Sequence, residues 1–281
     1  MNKKHLKFSL TVLWLMITML GSSVIAGQVR TRKFAFKDEF NGPAGSAIDT
    51  SNWTAETGGG GWGNQELQYY TDTVQNAYLD GNGSLVIKTV KLTPPLTLTC
   101  WYGPCQYSSA RLITKKKFDL KHGRFEARIK LPRGQGIWPA FWMLGNDIDQ
   151  NSWPQCGEID IMENIGREPS TVHGTIHGPG YSGANGIGAS YNLPGNPVFA
   201  DDFHVYAVEW SENKIRWYVD GKLYQTVTPK NLPQGAQWVF EHPFFIILNV
   251  AVGGPWGGPP NETTVFPQEM LVDYVRVSYR R

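Results

Sequence analysis

Residues 156–166 read CGEIDIMENIG, with three acids, Glu158, Asp160 and Glu163, among apolar neighbours. A helix does not account for them. At about 100° per residue, with Glu158 at 0°, Asp160 falls near about 200° and Glu163 near about 140°, so Glu158 faces away from the other two. Ile159, Ile161 and Met162 then form no single stripe. A strand does better, because alternate side chains share a face. Glu158 and Asp160 lie on one side, Ile159 and Ile161 on the other. The last gap is three residues, which on a regular strand sends Glu163 to the apolar side. A β-bulge among residues 160–163 returns it to the acidic face, and bulges are frequent beside active sites. Three acids on one face repel each other, raise at least one pKa and keep a proton available near neutral pH. Glycosidic-bond cleavage has that requirement: one carboxylate attacks or steers and one carboxylic acid protonates the leaving oxygen. A solvated strand face is the alternative, and the apolar, Trp-containing flanks count against it.

Outward from this stretch, the same period of two recurs. Strands are expected at 83–90, 123–131, 140–144, 157–163, 171–177, 204–211, 214–221, 244–252 and 270–279. In GRFEARIKL, Phe125, Ala127, Ile129 and Leu131 lie on one face and Arg124, Glu126, Arg128 and Lys130 on the other. Asp220-Gly221 between RWYV and KLYQTV is a hairpin signal. No long amphipathic helix is legible. Strands at this spacing predict an all-β sandwich or jelly roll, one β domain filling the chain after its leader.

Residues 1–26 read as a signal peptide, with Lys3, Lys4 and Lys7 ahead of a short apolar run and small residues before Ala26. No later segment is apolar enough to span a bilayer. The leader holds three of the 26 basic residues and no acid, so the remainder carries 23 basic against 24 acidic residues. There is no basic stripe for nucleic acid. A near-neutral surface with 11 Trp and 31 Gly suits an uncharged ligand. The expectation is a secreted or periplasmic monomer without stable membrane association. In an exported chain disulfides form. Cys100 and Cys105 bracket a Gly103-Pro104 turn and are candidates for a local bridge, which leaves Cys156 as a buried, apolar-like thiol.

GEIDIMENIG closely resembles the signature of glycoside hydrolase family 16 in its laminarinase-type form, E-x-D-x-x-E. The resemblance runs over roughly residues 34–281. It includes FKDEFNG, GGWGNQELQYYT, DGNGSLVI, SARLIT, GRFEARIKLPRGQGIWPAFWMLG, HGTIHGPG, FHVYAVEWSENKIRWYVDG, FFIILNVAVGGPWGG and VDYVRVSY. It implies a concanavalin A-like β-jelly-roll with a concave substrate groove, spanning 27–281. It also implies a retaining mechanism, with Glu158 as nucleophile, Glu163 as acid/base and Asp160 tuning the nucleophile.

Trp138, Trp142, Trp153 and Trp256 offer indole faces to sugar rings. Trp is equally a good core residue. Trp138 and Trp256, beside Gly and Pro, read as loop residues, and Trp142 as part of an apolar strand. The resemblance places Trp138 and Trp256 on the glycone side, adds Asn64 and Arg111 as sugar hydrogen-bond donors, and sets His177 beside the acids. Arg111 is otherwise a strand-face ion-pair partner. His173 and His177 have zinc-binding spacing only on a helix; on a strand they stand about 13 Å apart by rise. No cofactor is expected for the chemistry. The resemblance adds a structural calcium, held by the carbonyls of Glu39 and Gly83 and the Asp273 side chain, a donor set that suits a hard cation. The leading expectation is an endo-β-1,3-glucanase acting on laminarin-like β-glucan. The alternatives are a non-catalytic β-glucan-binding protein and a family hydrolase of lichenan or agarose.

Overall fold

Alternation of apolar and polar side chains gives this chain two faces per strand, and two sheets bury the apolar ones against each other. A computed structural model describes residues 32–280; the signal-peptide segment lies outside the described residues. One sheet has seven strands in the order Ile187–Asn192, Thr171–His177, Glu158–Glu163, Ile137–Gly145, Phe244–Val252, Arg111–Ile113 and Thr54–Glu56. All its ladders are antiparallel. The other has ten strands, and its central run is Lys214–Val219, His204–Ser211, Gly123–Lys130, Gln268–Arg280 and Leu85–Lys91. The architecture is an all-β jelly-roll sandwich. Among the described residues the one α-helix is the single turn Gly254–Gly257.

The expected strands are present. In Gly123–Lys130, Phe125, Ala127 and Ile129 are fully buried while Arg124 and Arg128 pair with acids on the outer face. The Asp220-Gly221 signal also holds, since both residues have positive φ and Val219 pairs with Lys222 across them. That is the twist a two-residue hairpin needs. Phe244–Val252 lacks alternation in its sequence because both of its faces are covered. Phe244, Ile246, Leu248, Val250 and Val252 enter the main core, while Phe245 and Ile247 join a second apolar cluster with Leu144 and Cys156 on the opposite face of the sheet.

The bulge is where the spacing places it. Ala140 pairs with Glu163 and Phe141 with Met162, but Trp142 pairs with Asp160, so Ile161 has no partner on that side. On the other side Asp160 pairs with Thr175 and Glu163 with His173. Ile161 and Met162 therefore both turn into the core, where both are buried. Trp217 of the opposing sheet donates its indole N–H to the Asp160 carbonyl at 2.7 Å. Gly174, which faces the bulge, leaves room for this contact: a Cβ there would lie 2.4 Å from the Trp217 ring and from the Tyr224 hydroxyl.

Cys100 and Cys105 are joined in a disulfide with Cα atoms 5.0 Å apart, and Cys156 is free and buried. Burial drives the Cys156 thiol up to about 11, so it stays protonated and inert. Thiol labelling of unfolded, unreduced protein is expected to find one thiol; three would refute the bridge.

Candidate active site

Strand Glu158–Glu163 brings Glu158, Asp160 and Glu163 to one face of the seven-stranded sheet. Asp160 is the deepest, 2% exposed. Burial is the main force raising all three pKa values, and mutual repulsion adds to it. Glu158 is pushed up to about 8, mainly by burial and then by Asp160. Glu163 is raised to about 7 by burial and the Glu158 charge, and Asp160 goes well above the usual carboxylate range. The three acids titrate as one set. Burial and repulsion disfavour three charges together near neutral pH, and the surrounding groups bias which oxygen carries the charge.

Those groups are indoles and a histidine. Trp153 donates Nε1–H to Glu158 Oε2 at 2.7 Å, and Trp138 donates to Glu163 Oε1 at 3.0 Å. His177 Nε2 stands 3.1 Å from Asp160 Oδ2 and 3.9 Å from Glu158 Oε1, at ion-pair distance but out of line for a hydrogen bond. His173 turns to other partners, Glu168 at 3.4 Å and the Trp256 ring at 5.1 Å. The two histidines thus share no chelate. A second cation arrangement exists in Glu158, Asp160 and His177, whose ligand atoms lie within 4.8 Å of one another. Metal ligands must be deprotonated, whereas burial disfavours the charged form of both carboxyls in this trio and an indole N–H already occupies Glu158, so the trio fits acid–base chemistry better than a metal.

The structure gathers Trp138, Trp142, Trp256, Asn64 and Arg111 around the same face. The Gly and Pro beside Trp138 suggest a loop, but it lies in strand Ile137–Gly145. Pro139 next to it lies one residue beyond the last rung, Ala140 with Glu163; the proline removes an N–H but its carbonyl still accepts the Asn164 N–H at 3.2 Å. Trp256, also expected in a loop, sits in the Gly254–Gly257 turn and packs edge-on against Trp138 at 5.2 Å. Trp142 is half-buried on the acidic face, not in the main core, and donates to Asn249 at 2.7 Å. Arg111 pairs with Glu56 at 2.5 Å, and its guanidinium lies between the Trp62 and Trp142 rings, 4.9 and 4.7 Å from their centroids.

A buried polar chain underlies this rim, and sequence reasoning missed it. Asn249 donates to the Tyr70 hydroxyl at 3.0 Å, Tyr70 donates to Glu66 at 3.2 Å, and Asn64 donates to the same carboxyl at 3.3 Å. Glu66 is 5% exposed, and burial raises its pKa. Alternation within ELQYY hints at the shared face of Glu66, Gln68 and Tyr70; nothing local ties them to Asn249. Trp153 is among the tryptophans that the sequence offers for sugar stacking, but its link to Glu158 depends on the approach of a loop and is not legible there.

The calcium candidates sit on the ten-stranded sheet. Strand Arg32–Asp38 ends opposite Val275 and strand Leu85–Lys91 begins opposite Val272, so Glu39 and Gly83 both approach the level of Asp273 along one edge. The Asp273 carboxylate pairs with Arg128 at 2.9 Å, and the Glu39 carboxylate with Arg276 at 2.6 Å.

Comparison with known proteins agrees with this geometry. The family model "Glycosyl hydrolases family 16" matches residues 61–276. A beta-glucanase of Rhodothermus marinus is 41% identical over 279 residues, covering 94% of this chain and 92% of that protein. Glucan endo-1,3-beta-glucosidase A1 of Niallia circulans is 43% identical over 261 residues, covering 86% of this chain and 37% of the relative, so this chain spans little more than a third of it. The laminarinase catalytic domain of Thermotoga maritima superimposes with a TM-score of 0.82 at 50% identity, covering 89% of this chain and 99% of that one. With the bulged acid motif inside the matched region and the same sandwich in the structural neighbour, the chain belongs to glycosyl hydrolase family 16.

Proposed function

We propose that this glycoside hydrolase is a retaining endo-β-1,3-glucanase of laminarin-like glucans, exported after loss of residues 1–26 and active as a monomer outside the cell membrane. The observation that carries the reading is the acid triplet on its bulged strand, with a separate indole donor on each outer glutamate. Asp160, the deepest acid, keeps its proton. Burial raises Glu158 to about 8 and Glu163 to about 7, so the shared proton rests more often on Glu158. The reactive form is the one with the proton on Glu163, in which the Trp153 N–H and His177 support the Glu158 anion as it attacks the anomeric carbon. Glu163, protonated in that form, passes its proton to the leaving oxygen. A glycosyl–Glu158 ester forms as the glycosidic bond breaks. Glu163 then takes a proton from water as that water displaces Glu158, which regenerates both groups. Trp138, Trp142 and Trp256 supply ring faces, and Asn64 and Arg111 supply polar contacts to sugar hydroxyls. The steps need no cofactor. A calcium ion at Glu39, Gly83 and Asp273 would serve the scaffold only, through hard oxygen ligands.

Reducing-sugar release from laminarin, lichenan, agarose and xyloglucan tests the substrate. Laminarin is expected to be cut fastest; preference for agarose or lichenan would move the assignment to another specificity of the family. Binding of laminarin without turnover would support a glucan-recognition protein instead, a role that has no use for three protonatable acids. Proton NMR of fresh product is expected to show the β-anomer first. Early α-anomer would exclude retention.

The raised pKa values also predict a stability effect. A carboxyl whose folded pKa exceeds its unfolded value stabilises the fold while protonated and loses that contribution as pH rises through the folded pKa. For Glu158 the window runs from its ordinary 4.5 to about 8. Glu158→Gln is therefore expected to melt higher than the parent at about pH 9 and about equally near pH 4, since one pKa unit is worth about 1.4 kcal/mol. Equal melting temperatures at both pH values would contradict the burial of that charge.

A further inference from the structure

We propose that Trp101 forms a distal sugar-ring platform, extending the groove beyond Asn64 to β-linked glucose units remote from the cleaved bond. This rests on the glucanase reading above. Trp101 is 52% exposed, which is unusual for so large an apolar side chain. It is also held in place. It sits at the tip of the two-stranded hairpin in which Thr99 pairs with Pro104 and Cys100 with Gly103, closed by the Cys100–Cys105 disulfide.

Its polar atoms are satisfied from below. The backbone N–H reaches the Gly59 carbonyl at 2.9 Å and the indole N–H reaches the Glu66 carbonyl at 2.8 Å. Neighbouring Tyr102 packs edge-on at 5.5 Å and anchors the hairpin through its hydroxyl to the Leu67 carbonyl at 2.7 Å. The result is a fixed indole with no unmet hydrogen bond and an uncovered apolar surface. A sugar ring, which stacks its C–H face on indole while its hydroxyls stay in water, matches that surface. Little ordering entropy is left to lose on binding.

The position is continuous with the site. Trp138 touches Glu163, and a Cβ at Gly254 would lie 3.4 Å from Trp138 and 2.9 Å from the Asn64 carbonyl. The Asn64 N–H bonds to the Gly61 carbonyl at 2.9 Å. A Cβ at Gly61 would lie 3.0 Å from the Trp101 ring. The rim thus passes from the acids through Trp138, Asn64 and Gly61 to Trp101 without a gap. Glu66 couples its ends, because its carboxyl holds Asn64 and its carbonyl holds Trp101. A short oligosaccharide bound at the acids would stop before Trp101; a long one would reach it.

Steady-state kinetics of Trp101→Ala on laminaritriose and laminarihexaose test the platform. The KM for the hexaose is expected to rise about five- to tenfold with kcat unchanged, while the triose values stay put. Equal changes for both substrates, or none, would overturn it. If the variant fails to fold by circular dichroism, the indole N–H signal of Trp101 in Glu158→Gln protein decides. It is expected to shift with hexaose and not with triose, and an unmoved signal overturns the proposal. Absence of any laminarin cleavage by the parent protein would sink the glucanase reading instead, which keeps the two failures apart.

Discussion

Glu158→Gln is expected to abolish turnover on laminarin while leaving the fold and glucan binding intact. The amide accepts the Trp153 N–H as the carboxylate does, so the loop bearing that indole keeps its anchor. What disappears is the anion that forms the glycosyl ester. Loss of a covalent nucleophile removes about four or more powers of ten in kcat, or roughly 5–6 kcal/mol at about 1.4 kcal/mol per decade. The substitution also removes a repelling charge from a buried cluster, so lost activity cannot be ascribed to instability. Substantial hydrolysis by pure, folded variant protein would move the nucleophile to another residue.

Inserting one residue between Ile161 and Met162 is expected to be the most damaging change to this strand, and deleting Met162 a milder one. The bulge exists because two consecutive side chains, Ile161 and Met162, enter the core. Deletion gives Glu-Ile-Asp-Ile-Glu, in which the acids alternate regularly and all three still face the groove. Its cost is a cavity where Met162 lay, about 2–5 kcal/mol for a buried side chain of that size, and imperfect placement of Glu163 against Trp138. Insertion shifts the following residues to the other face unless the bulge enlarges. Glu163 would then point at Trp217 and Tyr224, where an unpaired carboxylate costs several kcal/mol. Circular dichroism and laminarin hydrolysis of both variants decide. A folded insertion variant more active than a folded deletion variant would refute this account of the bulge.

The strand pattern, the bulge and the hairpin at Asp220-Gly221 were legible in the chain because each follows from local rules: side chains alternate, and certain turns require particular residues. Trp138 and Trp256 show where that reasoning stops. Gly and Pro around them read as loop, yet Trp138 lies in a strand, because Ile137–Gly145 is paired along its whole length with distant Phe244–Val252. Arg111 is a similar case. Its sequence context fits a sugar contact or an ion pair equally well, and only the approach of Glu56, Trp62 and Trp142 from distant segments shows what it touches.

The sequence by itself determined the face on which Glu158, Asp160 and Glu163 lie, since that depends only on counting residues along one strand. Their chemistry was decided by tertiary structure. Burial is a property of the packed sheets, and it is burial that raises Glu158 and Glu163 into the neutral range and Asp160 well above the usual carboxylate range. The partners that divide the charge among them, Trp153, Trp138 and His177, come from a loop and two neighbouring strands. The chain from Trp142 through Asn249, Tyr70 and Glu66 to Asn64 likewise joins residues up to 179 positions apart. No local period encodes such contacts, because they form only where the folded sheet brings separate strands side by side.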